Sequence, residues 1–417
     1  MLAPGGKGWI NKYFDLVDSG QITLRIDRPE GLRKLNFMHL TLAHSGIIFG
    51  YPVSLLFAKS LDDSKWTSEE KLKLLLFESH IFVFLQIHKD KPFDRVDFIN
   101  SLVGFYKYHN ARAIKKLFKL IIKEKEVGML ENVLAKRVDI KVKLFENKWW
   151  VNSLSNAFTY LDVILFDDFV HKQKEEALKQ YNTYAENALI AVTLSAYSDG
   201  TIEKKEKDLF NMFLACANLE DEDRDQAKMR FSKGATLDDF SYFVSSHWML
   251  KRFLLDLSAL TIFSTQETLE EEIEFLKELS EHLEIPADEL EETMRMVENF
   301  VLKSRKNVAF LSDNAKYEKV YQSFTKRWTK VLLRNKDKLS AEIRQSKELV
   351  RLIKKSRSEE LSREEREAVK TQFKDIAKSI PALTIFLLPG GTLLLPVLLK
   401  LIPDLIPSAF RENELDE

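Results

Sequence analysis

The stretch Leu361–Phe410, LSREEREAVKTQFKDIAKSIPALTIFLLPGGTLLLPVLLKLIPDLIPSAF, says most about the fold of this 417-residue chain. A charged segment leads into Ile380–Leu399, twenty residues without a charge. As one helix that run would measure about 30 Å, the thickness of a hydrocarbon core. Twelve of the twenty are Leu, Ile, Phe or Val, which contribute roughly −4 to −7 kcal/mol toward insertion. Pro381, Pro389, Gly390, Gly391 and Pro396 reduce that sum. The preceding twenty residues hold Arg363, Arg366, Lys370, Lys374 and Lys378, and only Lys400 and Arg411 follow. The positive-inside rule therefore predicts a single-pass segment with the bulk of the chain in the cytoplasm. The alternative is a kinked helix pair, broken at Pro389-Gly390-Gly391 and buried inside the protein.

Outward from that stretch the chain reads as helix. Glycine (13) and proline (10) are scarce, which argues against β-sandwich, collagen-like and low-complexity classes. Gln21–Lys34 alternates briefly around Pro-Glu-Gly, a weak hairpin signal. A Thr-Ser-Glu-Glu start at Thr67 opens a helix with Leu72, Leu74, Leu75, Leu76 and Phe77 on its apolar face. Further helices are expected over 93–108, 111–122, 131–145 and 153–166, with Trp149 and Trp150 at a junction. The expectation is an all-α protein: a helical region over 1–180, a domain over 184–303, basic amphipathic helices over 305–357, and 361–410 carrying the span 380–399.

The net charge of −1 conceals segregation: residues 265–299 carry thirteen Asp/Glu against two Lys/Arg, and 319–357 carry thirteen Lys/Arg against three Asp/Glu. Lys326, Arg327, Lys330, Arg334, Arg351, Lys354 and Lys355 form the basic surface. It fits anionic lipid headgroups, RNA phosphates or the chain's own acidic block. Aromatic residues are too few there for base stacking, and nothing points to specific DNA binding. One cysteine, Cys216, rules out a disulfide framework. No two of the eight histidines stand four apart beside a carboxylate, as a helical metal site would need. Absence of a Gly-rich phosphate loop or nucleophile elbow points away from an enzyme.

Two resemblances sharpen this reading. In 184–303, Ala196, Asp199, Gly200 and Glu206 lie in a helix–Asp-Gly–helix hairpin. That hairpin resembles the TerB-like (tellurite-resistance) domain family. The likeness implies a divalent cation held by Asp199, Glu203 and Glu206, with Glu267, Glu270 and Glu271 as partners. At the C-terminus Leu361, Arg363, Glu365 and Arg366 open a pattern that closes on Leu394, Leu395, Pro396, Val397, Lys400, Leu401, Pro403, Pro407, Ser408 and Phe410. This resembles the membrane region of the LETM family, the leucine-zipper, EF-hand-containing transmembrane proteins. Pro389, Gly390, Gly391, Thr392 and Asp404 complete the membrane signature. Membership implies K⁺/H⁺ or divalent-cation homeostasis or membrane organisation in an inner membrane, and contact with ribosomes; the alternative is a non-transporting membrane adaptor or a stress- or metal-sensing scaffold acting through the TerB-like domain. The family commonly has a carboxylate where this chain has Thr392, so transport by this chain alone is not expected. Without charges in the span, transport would require a homo-oligomer. The chain stops seven residues after Phe410, so most of the family's ribosome-binding region is expected to be missing. No mitochondrial presequence is apparent, which favours a bacterial cytoplasmic membrane.

Overall fold

The computed structural model describes residues 2–109, 124–140, 156–171, 177–200, 202, 204–241, 247–264, 270–304, 314–387 and 395–405. Among these the regular structure is helical, with no strand. Residues 21–33 form an irregular connection with a turn closed by the Leu32 amide on the Pro29 carbonyl at 3.2 Å, not a hairpin. The helix expected over 111–122 and the junction at Trp149 and Trp150 lie outside the described residues.

The chain divides into two compact units, Met1–Arg25 with Ser45–Lys316, and Ile26–His44 with Tyr317–Glu417. The four sequence segments are finer than this division. They also give no sign that 26–44 joins the C-terminal unit. Helix α2 (Lys34–Ser45) buries Phe37, Met38, Leu40 and Leu42, so it lacks the polar face that marks an amphipathic surface helix.

In the first unit, α1 (Trp9–Asp18), α3 (Ser68–Ile87), α4 (Arg95–His109), α5 (Glu124–Val138) and α6 (Thr159–His171) surround an aromatic core. Phe77 lies edge-on to Trp9, Tyr13, Phe14 and Phe98, with centroids 5.2 to 5.9 Å apart. Thr67 starts α3 with a complete capping box: its hydroxyl accepts from the Glu70 amide at 3.1 Å, and Glu70 accepts from the Thr67 amide at 2.8 Å. Both α3 and α6 are buried nearly all round, and each carries polar groups that must be satisfied internally. Arg137 therefore closes on Asp162 through two hydrogen bonds, and the Tyr106 hydroxyl donates to the same carboxylate at 3.0 Å.

The same unit continues through α7 (Tyr181–Ala196), α8 (Lys204–Cys216), α9 (Asp221–Lys233), α10 (Trp248–Ser264), α11 (Glu270–His282) and α12 (Ala287–Ser304). Helix α10 is buried on every side and packs along α7 and α12. Its Arg252 is buried between Glu289 at 3.1 Å and Glu292 at 3.2 Å on α12. An unpaired guanidinium there would cost several kcal/mol, roughly 3–5.

The buried His80 sets an acid limit on this unit. Its Nδ1–H donates to the Leu76 carbonyl at 2.7 Å. Burial, only partly offset by Asp162, pushes the imidazole down to about 4. The folded value lies below the unfolded one, so stability is complete above about pH 6.5 and falls as pH drops toward 4. Denaturant titrations at pH 7.5 and pH 5 should differ by about 2 kcal/mol from this group alone. A His80→Gln variant, less stable overall, should lose that part of the pH dependence; an unchanged profile would remove His80 from the account.

Candidate functional site

The C-terminal unit is built from α2, α13 (Asn314–Arg334), α14 (Lys336–Arg344), α15 (Lys347–Ser358), α16 (Arg363–Ser379) and α17 (Leu395–Leu405), with a 3-10 segment over Pro381–Leu387. The opening of the motif stretch forms a helix start locked at several points. Ser362 caps α16 by accepting from the Glu365 amide at 3.2 Å, while Glu365 accepts from the Ser362 amide at 2.9 Å. Glu365 also holds Lys355 at 2.9 Å, tying α16 to α15. Arg366 Nε donates to the Leu361 carbonyl at 2.8 Å, and Leu361 is buried.

Ile380–Leu399 is not one helix. Helix α16 ends at Ser379, the 3-10 segment turns back along it, and α17 begins at Leu395 and packs on α15. No helix among the described residues is long and apolar enough to cross a membrane. The eleven residues of α17 give about 16 Å, half of what a span needs. Pro381 cannot donate an amide hydrogen bond, which favours a break at the end of α16. The apolar side chains meet the unit's own core instead. Leu383, Phe386, Leu398 and Ile402 are fully buried, and Phe386 lies 5.9 Å from Trp328 and 5.7 Å from Phe373, centroid to centroid. Of the signature residues, Pro396, Lys400 and Asp404 lie along α17, and Pro403 is buried there. Pro389, Gly390, Gly391, Thr392, Pro407, Ser408 and Phe410 fall outside the described residues.

The basic residues divide by what they touch. Lys326, Lys330, Arg334, Arg351 and Lys354 are exposed; Arg327 and Lys355 are half-buried. Arg351 and Lys355 face Glu365 at 3.9 and 2.9 Å, so part of the basic charge is balanced inside this unit. The acidic block finds partners within the first unit, at Lys251–Glu284 (2.8 Å) and at Arg252.

The Asp199-Gly200 turn follows α7, with Gly200 at φ +81°, and α8 packs back on α7. Asp199 is half-buried in the turn, Glu206 is buried on α8, and Glu203 lies outside the described residues. The group of potential ligands that does converge among the described residues is Asp167, Asp168 and His247, within 4.8 Å of one another. It was invisible in the sequence because His247 enters from the start of α10, with no fixed spacing to α6. The Leu250 amide donates to His247 Nδ1 at 3.3 Å, and Nε2 lies 3.1 Å from Asp168. With Nδ1 engaged by that amide, Nε2 is the ring atom that faces the two carboxylates.

A capped helical module whose 3-10 segment and α17 bury apolar side chains in its own core is the class this geometry defines. Residues 361–417 match the family described as "LETM1-like, RBD". The C-terminal region is thus LETM-like, and the matching segment is the one the sequence assigned to a membrane span, with the ribosome-binding part expected to be missing. The match lends the TerB-like resemblance of 184–303 no support. No curated protein and no solved structure matches the chain.

Proposed function

We propose that the C-terminal unit is a ribosome-docking module and that the chain is an adaptor joining ribosomes to its helical first unit. The match of 361–417 to the LETM1-like RBD family carries this reading. The locked start of α16 and the burial of Phe386, Leu398 and Ile402 support it, because a docking module needs a rigid fold of its own. The test is sedimentation of the full chain with purified ribosomes through a sucrose cushion. The chain should pellet with them at low salt and leave them at high salt; a chain that stays in the supernatant at low salt contradicts the reading.

The charge-free run Ile380–Leu399 favours a second reading: a single-pass protein of a bacterial cytoplasmic membrane, acting in K⁺/H⁺ or divalent-cation homeostasis as an oligomer. The 3-10 segment and α17 would have to leave the core and join into one span. A carboxylate is the natural relay inside a membrane, and Thr392 offers none. Thr392→Glu should therefore create cation-dependent flux in vesicles if this second reading holds, and absence of flux counts against it.

A further inference from the structure

We infer that the exposed face of α13 bearing Lys326, Lys330 and Arg334 is a rail for the phosphate backbone of RNA. The inference rests on the ribosome-docking reading and names the contact surface, which lies outside the segment matched by the family. The three residues stand one helical turn apart, so they share one face over about 12 Å. At roughly 3.4 Å per nucleotide along a strand, that length faces three to four phosphates.

Among the described residues this charge is left without a counter-charge. All three side chains are exposed, and among the described residues none is paired with a carboxylate. Like charges one turn apart destabilise a helix. Helix α16 carries a similar ladder but balances it within the helix, Lys370 on Glu367 and Lys378 on Asp375 at 2.7 Å. Lys374 adds to the field around Glu367. Among the described residues the α13 ladder has no such compensation, and an external polyanion would supply it. Lys336, exposed at the start of α14, extends the basic face.

The opposite side of α13 decides between RNA and a lipid surface. Phe324, Trp328 and Leu332 are each 1% exposed, so the apolar face is already used in the core. A helix that binds a bilayer needs that face free. Leu333 is the large apolar side chain exposed on this helix among the described residues, too little to insert. Phe324 and Trp328 being buried, bases find no ring to stack on here, and binding should be indifferent to sequence.

The test uses the full chain and a mixed-sequence 20-base-pair RNA duplex, with affinity measured by fluorescence anisotropy across a salt series. Lys326→Gln/Lys330→Gln/Arg334→Gln should weaken binding at least tenfold and reduce the slope of log K against log salt by about two to three. Lys370→Gln/Lys374→Gln/Lys378→Gln removes the same charge and should change affinity less than about twofold, by the balance of its ladder. Circular dichroism should show both variants folded, since every substituted side chain lies on the surface or in a surface pair. Equal losses in the two variants, or none in the first, would overturn the rail. So would binding to phosphatidylglycerol vesicles that depends on the rail while RNA is not bound. If the chain pellets with ribosomes and the rail variant does so equally, the rail is wrong and the docking reading stands. If RNA binds through the rail but ribosomes do not pellet the chain, the docking reading falls and the rail stands.

Discussion

Glu78→Ala should abolish stable folding of the first unit. Glu78 is fully buried on α3, and its carboxylate accepts four hydrogen bonds. Three come from consecutive backbone amides, Leu56 at 2.6 Å, Phe57 at 3.1 Å and Ala58 at 2.7 Å, and the fourth comes from the Tyr13 hydroxyl at 3.0 Å. One side chain therefore anchors the 54–58 loop and α1 to α3. Alanine leaves four buried donors without their acceptor. At about 1–3 kcal/mol each, the loss is several kcal/mol, comparable to the whole stability of a domain. Glu78→Gln keeps one oxygen but turns its amide toward the donors, so it should recover only part of that loss. Thermal melts followed by circular dichroism measure this directly. An alanine variant melting within a few degrees of the parent would show that the loop and α1 are held by other contacts.

Trp328→Ala should be the most damaging single change in the C-terminal unit, at about 3–5 kcal/mol for a fully buried large-to-small substitution. Trp328 packs against Phe324 at 6.2 Å and Phe386 at 5.9 Å, centroid to centroid, and is 1% exposed. The size of the effect bears on what the C-terminal stretch does. With Phe386 in the core, removing the indole empties a cavity at the centre of the unit. Were Phe386 in lipid, the indole would lose a principal neighbour and its removal would cost far less. Denaturant unfolding of the full chain, with a probe attached on α16, reads the difference.

The helical class was legible because its signals are local. Thr67 with Glu70, and the scarcity of Gly and Pro, needed no tertiary knowledge, and the helix begins where the capping spacing places it. The C-terminal resemblance was legible for a similar reason, since three prolines, a lysine and Ser408-x-Phe410 lie at fixed spacing. What those apolar residues pack against was not legible. Hydropathy over Ile380–Leu399 is the same for lipid and for a protein core, and the end of α16 at Ser379 and the 3-10 turn depend on Phe386 finding Trp328 and Phe373. The union of 26–44 with the C-terminal unit and the approach of His247 to Asp168 are likewise products of topology. Charge patterning marked the basic residues as a set. It did not separate Lys355, clamped by Glu365, from Lys326, Lys330 and Arg334, because the difference lies in which helices meet.

Carbonate extraction of membranes from cells producing the full chain distinguishes a 3-10 segment and α17 that stay in the core from ones that join into a span. With Leu383, Phe386, Leu398 and Ile402 buried inside the unit, the chain should be released into the soluble fraction at pH 11, and low salt should be enough to keep it with ribosomes beforehand. Retention in the carbonate-washed pellet, abolished by truncation at Lys378, would contradict the account and place the stretch in the bilayer.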